Sequence, residues 1–596
     1  MQTLFALGYG FAFALAQAAP SAPAPNATTR AANDFLHFFN SIYLGLTRVA
    51  SEAEWVASTD VGDAHDAART AADTALAVFQ GDKNIIETTR SLLGKRKQLP
   101  PLLARQLDKV ILGAAEGPGT IPDVTAARVA AESAQSSTMN GYTFKLDGKP
   151  VTANDLDDIL QKSRDLAQRR RAWEASKEIG RPLKPGLEKL QKLRNQVARE
   201  LKFASFNALQ VADYDMTEQE MMDLLDGFLT DTRPLYVKLH AWVRSKLAER
   251  YRQPAPKGLI PAHWITNRWA QQWTGIVEGA ADLDPLLKDK TAEWIVKSGE
   301  RFYVSMGFPP LPKTFWEKSD LYPVPAAGKR KKNQHASAWH IDLDRDVRSL
   351  MSVKPNDQWW GTAHHELGHI YYYISYSRPE VPPILRRGAN RAFHETVGDL
   401  AAIASKQVPY LKAVGVLPQA AKIDMRAALL DEALETIPFL AWSAGTMSHF
   451  ERDLYSEDLK ASEWQRRWWE LVAKYQGVEP PGPRPADACD ACTKTHINDD
   501  PAQYYDYAMD FVIKYQLHDH ICKKILKQDP HTCNYYGSKA VGNFLRKILE
   551  QGAMRPWRDV IREATGEPVS TRALREYFAA LDPWLDGELK GKPVGW

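Results

Sequence analysis

Apolar residues return every three or four positions through much of this chain, and that spacing limits its fold more than any other feature. It runs through Asp63–Leu76, Asp155–Lys177 and Pro234–Tyr251 (PLYVKLHAWVRSKLAERY). A repeat near 3.6 residues sets such side chains on one stripe of an α-helix, which must bury against a neighbour. The basic run Gln168–Arg171 inside one of these segments reads as a solvated helix face. Strand-like alternation is confined to Gly141–Leu146 and to His335–Ile341, which follows a basic turn at Gly328–Asn333. Proline-rich loops at Pro309–Pro312, Tyr322–Pro325 and Glu479–Pro485 break the pattern, and no internal repeat is present. The expectation is a mostly α fold with very little sheet.

Charge and composition narrow the partners. The 596 residues hold 76 basic and 73 acidic side chains, a net charge of +3, which is too balanced for nucleic acid or an anionic membrane to be the main partner. The opening MQTLFALGYGFAFALAQAAP is apolar and ends in Ala16-Gln17-Ala18, which reads as a signal peptide over 1–18. Its lack of basic residues leaves an uncleaved anchor as the alternative. A Pro/Ala linker follows over 19–30, then one catalytic unit over 31–596. No later run reaches the roughly 18 apolar residues that span a bilayer. The expected location is secreted or periplasmic, with no membrane contact after cleavage. In that setting the four cysteines read as local disulfides, Cys489–Cys492 and Cys522–Cys533. Cys489-Asp-Ala-Cys492 also mimics half a zinc ribbon, but no second CxxC exists.

The stretch GTAHHELGHIYYY, Gly361 to Tyr373, carries the chemistry. On a helix, His365 and His369 lie one turn apart on one face and can offer two imidazoles to one metal ion. Zinc suits such ligands, and a catalytic site keeps one of four positions open for water. Glu366 is placed to take a proton from that water. Downstream, Ala392-Phe-His-Glu-Thr-Val-Gly-Asp399 opens a second helix, with Glu395 26 positions after His369 as the candidate third ligand. Asp399, one turn further along the same face, is placed to accept the distal N–H of a ligand imidazole. His364 and His394 point about 100° away from their ligand neighbours and are expected to be structural.

These residues, as HHELGH and RGANRAFHETVGD, resemble the angiotensin-converting enzyme family of zinc dipeptidases. The likeness extends to His335-Ala-Ser-Ala-Trp339, to Pro261-Ala-His263 with Trp269-Ala-Gln-Gln-Trp273, and to Trp468-Trp469 with Lys474-Tyr-Gln-Gly477. It includes Lys494-Thr-His496 and Tyr504-Tyr-Asp-Tyr507, and covers roughly residues 160–540. The resemblance implies a two-lobed helical zinc peptidase with a deep central groove, one small sheet near the active site and one Zn2+ per chain. It implies Glu366 as general base and then proton donor to the leaving amine, with Tyr507 and His496 at the developing oxyanion. It implies that His335 and the backbone of Ala336 and Ala338 grip an extended substrate. Lys494, Gln271 and Tyr504 would hold the C-terminal carboxylate of an oligopeptide, so that dipeptides are released. An Arg at the position of Gln271 marks the mono-carboxypeptidase branch.

Several positions depart from the family pattern. Val472 and Asp506 stand where animal members carry chloride-binding arginines, so chloride activation is not expected. Two residues are inserted within Ser377–Pro383 and one between His496 and Tyr504. Arg387 replaces a glutamate before the Gly-Ala-Asn, and Gln334 replaces one half of a disulfide; Cys522–Cys533 resembles the family's last bridge. The competing readings are a mono-carboxypeptidase or oligo-endopeptidase on a similar fold, and a binding scaffold without catalysis. The intact set His365, Glu366, His369 and Glu395 speaks against the scaffold.

Overall fold

The computed structural model describes residues 25–277, 283–325, 328 and 330–596. The proposed signal peptide and the first part of the linker lie outside the described residues. Helices dominate. α1 (Ala27–Thr59) starts inside the stretch read as linker, because the Asn26 side chain accepts the Thr29 N–H at 2.8 Å and caps it. α2 (Asp63–Gln80) follows.

The repeat across Asp155–Lys177 is cut in two. α3 (Ala153–Lys162) opens with a Thr152–Asp155 capping box. Asp165 then accepts the Ala167 and Gln168 N–H groups at 2.8 and 3.3 Å and starts α4 (Leu166–Lys177). The basic run on α4 is not wholly solvated. Arg169 is 1% exposed and donates to the carbonyls of His263, Trp264 and Ile265 at 2.8, 3.1 and 3.1 Å. A guanidinium fork satisfied by carbonyl oxygens can be buried, and charge counting along a sequence does not reveal that. α5 (Glu218–Tyr251) contains the predicted Pro234–Tyr251 segment.

Four further helices matter for the site: α6 (Asp357–Tyr376), α7 (Arg391–Ser405), α8 (Met425–Leu440) and α9 (Tyr505–Asp519). Asn356 and Asn390 cap α6 and α7, accepting the N–H of Trp359 at 2.9 Å and of Phe393 at 3.0 Å. Among the described residues the sheets are three strand pairs. β1 (Phe144–Leu146) and β2 (Lys149–Val151) form a hairpin whose turn, Asp147-Gly148, has φ of 52° and 78°. β3 (Ile260–Pro261) runs parallel to β6 (Val478–Glu479), and β4 (Ser337–His340) antiparallel to β5 (Val347–Leu350).

Two large apolar cores carry most of the aromatic residues. One gathers Trp173, Trp242, Trp273, Trp442 and Trp464; the other gathers Phe302, Tyr303, Trp360, Tyr371 and Trp557. α9 straddles them: Tyr515 packs in the first, while Ala508, Met509, Val512 and Ile513 pack in the second. Both expected disulfides, Cys489–Cys492 and Cys522–Cys533, are formed. No helix among the described residues is long and apolar enough to cross a membrane.

Candidate metal centre and its surroundings

α6 and α7 cross at two glycines. A Cβ on Gly368 would lie 2.8 Å from Gly398 Cα, and one on Gly398 would lie 2.7 Å from the His365 ring. Both distances are below ordinary contact, so only glycine lets the helices approach this closely and the imidazole lie against α7. The crossing brings His365 Nε2 to 3.0 Å from His369 Nε2 and 3.6 Å from Glu395 Oε2. All three ligand atoms fall within 4.8 Å of one another.

This donor set fits a divalent cation. Two nitrogens bound tetrahedrally at about 2.0–2.1 Å stand roughly 3.3 Å apart. Asp399 Oδ1 takes the His365 Nδ1–H at 2.9 Å, which turns the His365 Nε2 lone pair toward His369 and Glu395. Without a positive charge between them the two lone pairs and the carboxylate repel. Burial opposes protonation of His365, but the Asp399 hydrogen bond and the surrounding carboxylates raise it to about 10; His369 is driven well below the ordinary range by burial and by His365. The cluster thus favours a cation at its centre. Lys514 supports it from behind, its Nζ 2.7 Å from Asp399 Oδ2. That lysine was not singled out in the sequence, although it lies two turns after Tyr507 on the same face of α9.

Glu366 is 5% exposed, and its Oε2 has no hydrogen-bond partner among the described residues. Burial pushes its carboxyl up to about 7, with His365 drawing it down and Glu395 raising it. It lines a cavity of about 580 Å³ together with His365, Asp399, Glu435, Phe511 and Lys514. His364 is fully buried and bonds away from the site, to the Trp360 carbonyl at 2.8 Å and the Tyr410 hydroxyl at 2.9 Å. His394 stands beside the centre, its Nδ1 3.4 Å from His369 Nδ1 and its Nε2 3.3 Å from the Tyr376 hydroxyl.

The remaining predicted residues form two groups. His496 Nε2 is 3.3 Å from the Tyr507 hydroxyl, and the Tyr504 and Tyr507 rings are 4.9 Å apart. Burial holds Tyr507 up at about 12 and His496 down at about 4, so near neutral pH the phenol is protonated and the imidazole neutral. Lys494 donates to Gln271 Oε1 at 3.0 Å and lies over the rings of Trp269, Tyr504 and Trp442 at 4.6, 5.2 and 5.8 Å. It is 4% exposed and forms no ion pair among the described residues. Phe439 joins the groups, packing on Tyr504, Tyr507 and Phe511.

On the other side, β4 meets α6 where the Tyr373 hydroxyl donates to the Ala338 carbonyl at 3.2 Å. Ala336 and Ala338 are half-buried, and His335 is exposed just before the strand. Of the departures, Arg387 pairs with Asp213 at 2.7 Å, Val472 is buried, and Asp506 contacts Arg391 Nε at 3.1 Å. A second His–Cys–Cys group, His518 with Cys522 and Cys533, has its sulfurs joined in the disulfide.

The profile of the family described as angiotensin-converting enzyme, peptidase M2, matches residues 26–596. The angiotensin-converting enzyme of Mus musculus is 32% identical over 462 residues, 74% of this chain and 34% of that protein. That of Haematobia irritans exigua is 31% identical over 458 residues, 72% of this chain and 73% of its own. That of Theromyzon tessulatum is 31% identical over 582 residues, 91% of this chain and 89% of its own. The chain spans about a third of the length of the mouse and rat relatives it matches. With a profile match across nearly its whole length, the chain belongs to the angiotensin-converting enzyme family.

Proposed function

We propose that this chain is an exported zinc peptidyl-dipeptidase that releases dipeptides from the C-terminus of oligopeptides. One observation carries the reading: a converging His365–His369–Glu395 set stands beside a buried Glu366 carboxylate oxygen that has no hydrogen-bond partner among the described residues. His365, His369 and Glu395 would hold the ion. Bound there, zinc lowers the pKa of a water toward about 7 and polarises a carbonyl oxygen. Glu366 takes the water proton and returns it to the departing amine. Tyr507, kept protonated by burial, donates to the carbonyl oxygen as charge develops, a contribution of about 3–4 kcal/mol for one such donor. His496 orients that hydroxyl. His335 and the backbone of Ala336 and Ala338 hold the substrate extended along β4, as an added strand does.

Lys494 gives the reading its length gauge. Among the described residues this nearly buried ammonium has a neutral acceptor and three aromatic faces but no carboxylate in ion-pair contact, and a substrate carboxylate supplies one. Tyr504 and Gln271 complete the grip. Free-acid peptides should therefore lose dipeptides, read by mass spectrometry, while C-terminally amidated analogues stay intact. Lys494→Ala should raise KM for the free acids about 10- to 100-fold, as expected for a lost hydrogen bond to a charged group. Burial lowers the Lys494 ammonium to about 7, so wild-type KM should climb as pH rises above that value and the variant's should not. Cleavage of the amides at the same rate would refute the carboxylate gauge.

Chloride is not part of this reading. Where chloride-binding arginines stand in animal members, this chain has apolar Val472 and the carboxyl of Asp506, neither of which offers a positive charge. Near Trp468-Trp469 a buried carboxylate is already present, Asp490, bonded by Trp469, Gln465 and Arg484 at 2.8–2.9 Å. Rates in sodium chloride and in an inert sodium salt should agree within about twofold once screening is matched. A severalfold gain in chloride would overturn this.

A further inference from the structure

The reaction proposed above depends on where the Tyr507 hydroxyl sits, and its neighbour in the chain is held by one hydrogen bond and one ion pair. Asp506 is 2% exposed. Its Oδ1 accepts the Tyr214 hydroxyl, and its Oδ2 lies 3.1 Å from Arg391 Nε. The Arg391 guanidinium also forks onto Asp500, with both Nη–Oδ distances 2.7 Å. Tyr214 closes the loop, its oxygen accepting the Ala392 N–H at 3.0 Å.

Three pieces of the candidate site meet in this knot. Arg391 and Ala392 open α7, with Arg391 one turn before Glu395. Asp506 opens α9 beside Tyr507. Asp500 lies in the segment between His496 and Tyr504, where the chain departs in length from its family. The Tyr214 ring braces the knot edge-on against Tyr505, with centroids 5.3 Å apart.

We infer that Arg391 and Asp506 are positioning residues: their ion pair fixes the Tyr507 hydroxyl relative to the metal-binding helix, with a built-in carboxylate as the anion. A buried carboxylate is costly unless it is paired, and apolar side chains would pack α7 on α9 without that cost. What the knot adds is a directional constraint, through the Tyr214 hydroxyl on Asp506 and the Arg391 fork on Asp500, with the 3.1 Å ion pair joining the two. A displacement of about 1 Å can reduce catalysis about a hundredfold. The Arg391 side chain is 41% exposed and that of Asp506 3%, so once the carboxylate is removed a small solute anion can reach the guanidinium.

This inference rests on Tyr507 being the oxyanion donor, so Tyr507→Phe is assayed in parallel. Asp506→Ala and the more accessible Arg391→Gln should each lower kcat by between about tenfold and a hundredfold, with KM little changed and zinc content intact. Excess sodium formate should restore kcat severalfold in Asp506→Ala, but in neither the wild type nor the Arg391→Gln/Asp506→Ala double variant. The double variant should be no slower than the slower single variant. If Tyr507→Phe keeps full kcat, the donor assignment fails. If it loses kcat while both single variants keep theirs, the inference alone fails. It fails equally if formate does not rescue Asp506→Ala, or if it rescues the double variant as well.

Discussion

Glu366→Gln should lower kcat by about 10²- to 10⁴-fold, the range ascribed to a positioned general base, and leave one zinc per chain and KM nearly unchanged. The amide matches the carboxylate in size but has no oxygen basic enough to take a proton from water. Nothing else should change. Glu366 Oε2 accepts no hydrogen bond among the described residues, and the side chains that could hold the metal are His365, His369 and Glu395. Burial raises the Glu366 carboxyl to about 7, near the working pH, where a base both accepts and returns a proton well. Burial also makes the ionised group a burden to the fold, so the melting temperature of the variant should equal or exceed that of the wild type. The comparison is therefore clean: a large loss in kcat with no loss in metal or stability. A variant that keeps full activity would remove Glu366 from the reaction.

How much of this was legible in the chain depends on range. His365 and His369 share a helix, so their spacing alone puts both rings on one face, and Asn356 caps that helix in the usual way. Glu395 and Asp399 were legible as a second helical pair. Their meeting with the first pair was not derivable from periodicity, because it depends on Gly368 facing Gly398. Glycine in a helix ordinarily costs stability, and its use at a crossing shows only when the partner is known. Lys514 and Arg391 were obscured for the same reason: each is an unremarkable charge until its long-range partner is in place, and Asp506 stood out only as a lost chloride contact, not as the partner of Arg391. Arg169 gave the opposite error, a charge in a basic run that proved buried under three carbonyl groups. The break at Asp165 shows a local side-chain cap overriding a continuous apolar repeat.

Removing the ion should have effects as large as removing the base, and of a different kind. Dialysis against a chelator should cut activity by more than about 10³-fold, because both the activated water and the polarised carbonyl are lost together, and one equivalent of zinc should restore it. Stability should fall in parallel. An ion that binds only the folded chain adds about 4 kcal/mol when its concentration is a thousand times Kd. In a chain this long that is a shift of a few degrees in melting temperature. The shift should grow with the logarithm of free zinc, which separates a bound ligand from a general salt effect. Glu395→Ala should abolish both the activity and the zinc-dependent shift, since two imidazoles 3.0 Å apart then lack the carboxylate that completes the set. Asp399→Asn should be milder, weakening zinc about 10- to 100-fold by releasing the His365 ring from its orientation. It also leaves Lys514 without its carboxylate, so Lys514→Met in the same background should recover stability but not zinc affinity. A chelated protein that retains its rate, or a Glu395→Ala variant that still shows the full zinc-dependent shift, would mean that the ion is not held where the three side chains converge.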